Sequence, residues 1–266
     1  MTAGHRVVTY DRRGFGKSSQ PSSGYNYDIF AEDLHQLISQ LQLRNFALVG
    51  FSMGGGEVAR YIGMYGSQAV TKAVMIGGVP PYLLKTADNP EGVDGSVFEA
   101  IKKAVAADRY AFFSEFFKNF YNTDVFLGTR VSEQTIQASW NIAAGASPTA
   151  SFACVGTWHE DFRQNVAKID IPTLVIHGDA DRIVPHGRIR GRRGRIADER
   201  GRRSPLPDAG AADERRGQRV RICASQGQNA GGHLLADQQA GVVAESMIFT
   251  FTFLRAPSPR MALQLG

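Results

Sequence analysis

The seven residues NFALVGF, Asn45 to Phe51, constrain the fold more than any other stretch of this chain. After the asparagine every residue is apolar or glycine, so neither face of an extended segment carries a polar side chain. Such a strand must be covered on both sides, the condition of a central strand in a parallel sheet flanked by helices. Upstream, YDIFAEDLHQLISQLQL sets Ile29, Phe30, Leu34, Leu37, Ile38 and Leu41 at helical spacing, with Asp28 as the candidate N-cap. Downstream, GGGEVARYIGMYG reads as a helix stopped by Gly66, and AVTKAVMIGGVPP as a further buried strand ended by two prolines. Near the start, Arg6 to Tyr10 reads as a short strand that runs into a glycine-bearing loop at Asp11 to Ser19. This alternation predicts an α/β fold with a mostly parallel sheet.

From Tyr82 to Asp161 the alternation stops. SVFEAIKKAVAADRYAFFSEFFKNFY is helical and rich in phenylalanine, as expected of a helical insert lying over the sheet. IPTLVIHGDADRIVP then returns to the buried-strand pattern, with Thr173 to His177 as the strand and Gly178 to Pro185 as its loop. The stretch after Pro185 fits neither a helical nor a strand period and has almost no apolar residues to bury. Beyond it, RVRICAS reads as a strand, and the segment ending in FTFTFL as a final helix or strand. The expected organisation is therefore a core over 1–81, a helical cap over 82–161, a core strand and loop over 162–185, an Arg/Gly-rich segment over 186–218, and a terminal strand and helix over 219–266.

A net charge of +5 and a pI near 9.3 suggest a nucleic-acid partner until the charges are located. Between His186 and Arg221 stand 12 arginines against 5 acids, which leaves the rest of the chain near −2. That segment has no interleaved aromatics for base stacking and no helical face, so no specific nucleic-acid partner is expected. The abrupt onset of an arginine, glycine, alanine and proline mixture is what an out-of-frame reading of a G+C-rich gene would give. No apolar run approaches the roughly 20 residues of a membrane span, and the start shows no leader pattern, so the expectation is a cytoplasmic protein without a membrane partner. Cys154 and Cys223 stand far apart and suggest neither a disulfide framework nor a metal site. Self-association into a homo-oligomer is left open. DRRGFGKS lacks the spacing of a phosphate-binding loop.

The chemistry centres on Gly50-Phe51-Ser52-Met53-Gly54, a G-x-S-x-G pattern between a predicted strand and a predicted helix. The spacing has a physical basis, because a serine on so sharp a turn needs flanking residues without side chains. The turn presents Oγ at the carboxyl edge of the sheet, while the helix N-terminus offers the Met53 N–H to a developing oxyanion. The acid partner should follow in a later strand's loop, where Asp179 and Asp181 both stand and spacing alone does not separate them. Phe51 and Trp158 are candidates for an acyl pocket, and FFSEFFKNF, with Trp140, could line it or form ordinary core.

At this point YDRRGFGKSS, LVGFSMGGGEVARY, VPPYL and IPTLVIHGDADRIVP together resemble the α/β-hydrolases known as cofactor-free, non-haem chloroperoxidases, a group that includes aryl esterases and perhydrolases. The resemblance runs from about Gly4 to Pro185. It implies Ser52 as nucleophile, the Met53 N–H as an oxyanion donor and Asp181, not Asp179, as the acid. It implies hydrolysis of a small carboxylic ester through an acyl-enzyme, with interception by hydrogen peroxide to give a peracid, and neither metal nor cofactor. The family pattern also contains first strands and an H-G-x oxyanion loop upstream of the residues seen here, so a sheet missing its first strands is expected. At the family's distance for the histidine this chain reads LPDAGAAD. The candidate base is instead His233, in the glycine-rich turn after RVRICAS; His177, at the end of a strand, reads as structural, His186 sits too close to Asp181 in sequence to turn back toward Ser52, and His35 and His159 have no motif around them. The contrasting expectation is a catalytically silent hydrolase remnant whose basic segment holds polyanions non-specifically.

Overall fold

A computed structural model describes residues 5–178, 180–185, 195–196, 220–225 and 252–257. Strand β1 (His5–Val8) is shorter than the sequence suggests, because the chain leaves the ladder after Val8 to carry Tyr10 and Arg12 to Glu57. Helix α1 (Tyr27–Gln40) is capped by Asn26, whose Oδ1 accepts from Ile29 N–H at 3.0 Å. The expectation of Asp28 as cap is thus corrected: a start there would leave Tyr27, fully buried, outside the helix. Asp28 instead sits in the first turn, where a carboxylate suits the helix's positive end, and pairs with Arg60 at 2.9 Å.

Strand β2 (Phe46–Phe51) alternates buried with half-buried residues and has none exposed, which is what its unbroken apolar sequence demands. Helix α2 (Met53–Tyr65) follows immediately and ends at Gly66, whose φ of 76° only glycine adopts without strain. Gly56 lets α2 approach α1: a Cβ there would lie 2.7 Å from the Tyr27 ring. Strand β3 (Val70–Ile76) and strand β4 (Thr173–Gly178) continue the sheet. Between them lie α3 (Gly95–Phe120), α4 (Thr123–Phe126), α5 (Glu133–Ala144), α6 (Pro148–Thr157) and α7 (Arg163–Val166). Serines at positions 132 and 147 cap α5 and α6 through their side chains.

Three further strands complete the described sheet: β5 (Arg195–Ile196), β6 (Val220–Ser225) and β7 (Thr252–Pro257). The order is β1-β7-β2-β3-β4-β6-β5. β2, β3 and β4 are mutually parallel, and β1 shares their direction because β7 runs antiparallel to both β1 and β2. β6 runs antiparallel to β4 and β5 antiparallel to β6, so β6 and β7 are the two reversed strands. β5 falls in the arginine-rich stretch whose pattern predicts no element; its two residues pair with Cys223 and Ala224 of β6, so the partner strand and not its own periodicity holds it. The stretch left open as helix or strand contains β7, seated between β1 and β2 with Leu254 opposite both Val8 and Leu48.

The main core gathers Phe30, Leu34, Phe46, Leu48, Val58 and Ile62, each at most 1 % exposed, between α1, α2 and the sheet. Burying each such side chain is worth about 1.5–3 kcal/mol before conformational entropy is charged against it. A second, smaller core of Phe113, Phe117, Tyr121 and Ala143 lies within α3 and its neighbours. Among the described residues, no helix is long and apolar enough to cross a membrane.

Candidate active site

The sequence places Ser52 in the single step between β2 and α2, and the backbone there bears the consequence. Ser52 has φ 49° and ψ −115°, a conformation that costs a residue with a Cβ about 1–3 kcal/mol. Its surroundings fix that geometry. The Ser52 N–H donates to Ile76 carbonyl at 2.9 Å, and its own carbonyl accepts from Gly55 N–H at 3.0 Å and Val79 N–H at 3.3 Å. Gly50 has no room for a side chain, since a Cβ would lie 2.1 Å from the Gly54 carbonyl oxygen. Although Ser52 occupies the N-cap position of α2, its hydroxyl makes no capping hydrogen bond. Oγ is therefore not used to stabilise the helix. Met53 is the first helical residue, where backbone N–H groups lack an acceptor within the helix and present positive charge.

Asp181 stands in the loop after β4. Its Oδ1 accepts from Ile183 N–H and Val184 N–H, both at 2.9 Å, so one carboxylate oxygen does cap the loop. The other, Oδ2, is 3.4 Å from His177 Nε2 and 3.6 Å from where a Cβ on Gly77 would stand, near the Phe51 ring. Asp181 thus lies beside the ends of β2 and β3, on the side of the sheet where Ser52 projects. Asp179, His186 and His233 lie outside the described residues. His177 is 2 % exposed and its Nε2–H donates to Val184 carbonyl at 2.6 Å, which makes it a staple of the Asp181 loop. His35 stacks on Tyr65 with ring centroids 4.0 Å apart, and His159 packs beside Phe98. None of these three lines the cavity above the serine.

That cavity, about 330 Å³, holds Ser52 and Met53 in its floor. Phe51 and Trp158 are both in its wall, with Val79 and Leu83 from the β3 loop and Phe98 and Ile101 from α3. Within FFSEFFKNF the two expectations divide residue by residue. Phe112 and Phe116 line the cavity, Phe113 both lines it and belongs to the second core, and Phe117 is fully buried in that core. A volume near the low end of ligand sites, with a mostly apolar lining, suits a small acyl group. Cys154 also lines it, and burial pushes its thiol up to about 12, so it is neutral at physiological pH.

One feature behind the serine was not legible as a pair. Glu57, one turn into α2, and Arg12, from the loop after β1, are both essentially inaccessible. Arg12 Nε donates to Glu57 Oε2 at 3.0 Å, its Nη2 donates to the same oxygen, and Tyr10 hydroxyl donates to Oε1. The Arg12 guanidinium lies 4.6 Å over the Phe30 ring. Burial pushes the Glu57 carboxyl above its ordinary range and draws Arg12 down to about 10. The available signal was a glutamate on the otherwise apolar start of α2, which must find a cation if it is buried.

A family model described as the alpha/beta hydrolase fold matches residues 2–203. A Synechocystis sp. protein with the provisional name non-heme chloroperoxidase is 64% identical over 185 residues, covering 70% of this chain and 67% of its own. A bifunctional esterase/perhydrolase of Acinetobacter calcoaceticus is 33% identical over 190 residues, with 70% and 67% covered. Among solved structures, a bromoperoxidase from Bacillus anthracis is similar at 54% identity and a TM-score of 0.63, covering 66% of this chain and 64% of that one. The chain spans about two thirds of the length of these relatives.

Proposed function

We propose the function of this chain from one premise: it belongs to the α/β-hydrolase fold family, in the branch of the non-haem chloroperoxidases and esterases. It is a serine hydrolase of small carboxylic esters, with peracid formation as a side reaction. The observation that carries this reading is the strained Ser52, φ 49°, whose hydroxyl makes no capping hydrogen bond and which lines the floor of an apolar cavity.

In the proposed cycle Ser52 Oγ attacks the ester carbonyl while a histidine takes its proton, and the C=O π electrons move onto the oxygen facing the Met53 N–H. Collapse breaks the ester C–O bond, the histidine returns the proton to the departing alkoxide, and an acyl-enzyme remains. Water, or hydrogen peroxide, then gives a proton to the histidine as it attacks the acyl carbon; the bond from that carbon to Ser52 Oγ breaks, the histidine returns the proton to Oγ, and an acid or a peracid leaves. Asp181 Oδ2 is the oxygen left to hold the histidine in its productive tautomer, because Oδ1 is committed to the loop. His233 is the proposed base. Phe51 and Trp158 are proposed to contact the acyl group. No metal or cofactor enters this scheme, and the proposed partner is a small ester in solution.

The test is intact-mass detection of fluorophosphonate labelling on the wild type, Ser52→Ala and His233→Ala. Loss of labelling in both variants is expected. Labelling that survives Ser52→Ala would refute the nucleophile, and labelling unchanged in His233→Ala would refute the base. A folded wild type that takes no label would give the lead to the silent-remnant reading.

A further inference from the structure

The wall of the cavity above Ser52 belongs to two bodies. Helix α3 breaks at Asp108 (φ −157°, ψ 95°), whose carboxylate accepts from Tyr110 N–H and Ala111 N–H and so starts a second helix. Beyond the break lies the smaller core of Phe113, Phe117, Tyr121 and Ala143; among the described residues none between 109 and 141 joins the main core. The two ends of this segment are held together, because Arg109 donates to Ala144 carbonyl at 3.1 Å and to Ala146 carbonyl at 2.8 Å. Paired ends beside a broken helix are the geometry of a hinge.

The segment meets the main body at Ile142, which packs against the main core, and at two places that each lie one residue from a proposed catalytic residue. Phe120 meets Phe51 edge to face at 6.5 Å, next to Ser52. Asp124 of α4 meets Arg182, next to Asp181, through a forked pair at 2.7 and 2.9 Å. Its other ion pair among the described residues, Lys118 with Glu115, stays within α3. Arg182 lines the cavity, and so do Phe112, Phe113 and Phe116 from the hinged side.

We propose that residues 109–144 form a hinged lid on the cavity, that Asp124 and Arg182 form its latch, and that the latched position limits the size of the acyl group admitted. The limit on acyl size rests on the ester-hydrolase reading above; the latch itself does not. Both side chains are substantially solvated, 41 % and 61 % exposed. An exposed fork of this kind biases an equilibrium by a factor of about two to five, enough to keep a lid mostly closed while letting it open in each turnover.

The experiment is hydrogen exchange on the full chain, comparing wild type, Asp124→Asn and the swap Asp124→Arg with Arg182→Asp. Asp124→Asn is expected to speed exchange about two- to fivefold within 109–144 alone, with the swap restoring it. Exchange that is unchanged, that rises evenly through the chain, or that the swap does not restore would overturn the latch. The readout needs no turnover, so an inactive chain would defeat the hydrolase reading and leave this test intact. Where esters are turned over, Asp124→Asn should raise kcat/KM for p-nitrophenyl octanoate over the acetate by the same factor. An unchanged ratio would refute the size limit.

Discussion

Gly50 offers the sharpest test of how the turn at Ser52 is held. A methyl group at this position would stand 2.1 Å from Gly54 O, 2.3 Å from Gly54 C and 2.6 Å from Gly55 N. All three are backbone atoms in the first turn of α2, so no side chain can rotate away. Relief requires α2 to move from β2 by about 1 Å, against the hydrogen bonds that Ile76 and Val79 make to Ser52. Overpacking of this kind costs about 1–3 kcal/mol, which for a domain of this size lowers Tm by about 3–10 °C. On the proposed reading of Ser52 as nucleophile, a shift of about 1 Å there should also slow fluorophosphonate labelling by about 10²-fold. Gly128→Ala is the control: its φ is 78° with nothing within 4 Å of the added methyl, so it carries backbone strain without collision. Calorimetry and labelling rates on both variants separate the two effects. A Gly50→Ala protein with wild-type Tm would show that β2 and α2 are not packed as described, and the account of the turn would fail.

Three other outcomes follow from the structure. Ser52→Gly should remove the strain at φ 49° and raise stability by about 1 kcal/mol while abolishing labelling; a lower Tm would contradict the strain. Arg12→Met leaves Glu57 buried without its cation and should cost about 3–5 kcal/mol near neutral pH. Because burial raises the folded-state pKa of Glu57 above its unfolded value, that variant should be most stable below the ordinary carboxylate range and lose stability as pH rises through the folded value. A flat difference from wild type between pH 4 and 8, in urea titrations, would rule this out. Cys154, with its thiol near 12, should react with iodoacetamide at pH 8 roughly 10³-fold more slowly than a free thiol; peptide mapping that finds it alkylated at an ordinary rate would contradict its burial.

Much of the layout was legible because it rests on local pattern. The unbroken apolar run Phe46–Phe51 could only be a covered strand, and Gly66 could only stop α2, so the serine's position on a turn followed from spacing. The cap of α1 was misplaced by two residues because Asn26 and Asp28 are both good caps, and the choice depends on whether Tyr27 is buried inside the helix. The break at Asp108 was hidden because alanines and phenylalanines on either side favour helix equally; only the carboxylate's turn back onto Tyr110 and Ala111 reveals it. The Arg12–Glu57 pair joins residues 45 positions apart, and no local period reports such a contact. Sequence order alone also could not place β7, whose two neighbours are His5–Val8 and Phe46–Phe51.

That placement sets the order of events as the chain is made. The strand between β1 and β2 is Thr252–Pro257, which is translated about 200 residues after β2. Until it arrives, β1 has no neighbour in the described ladder, and the edge of β2 presents unpaired backbone groups while those residues are made. Contacts of such large sequence separation form slowly, because the ordering of a long intervening chain precedes their reward. The nascent protein therefore carries an open flank through that interval, and a stop between Phe51 and Thr252 leaves a product whose defect includes the gap between β1 and β2, far in sequence from the truncation.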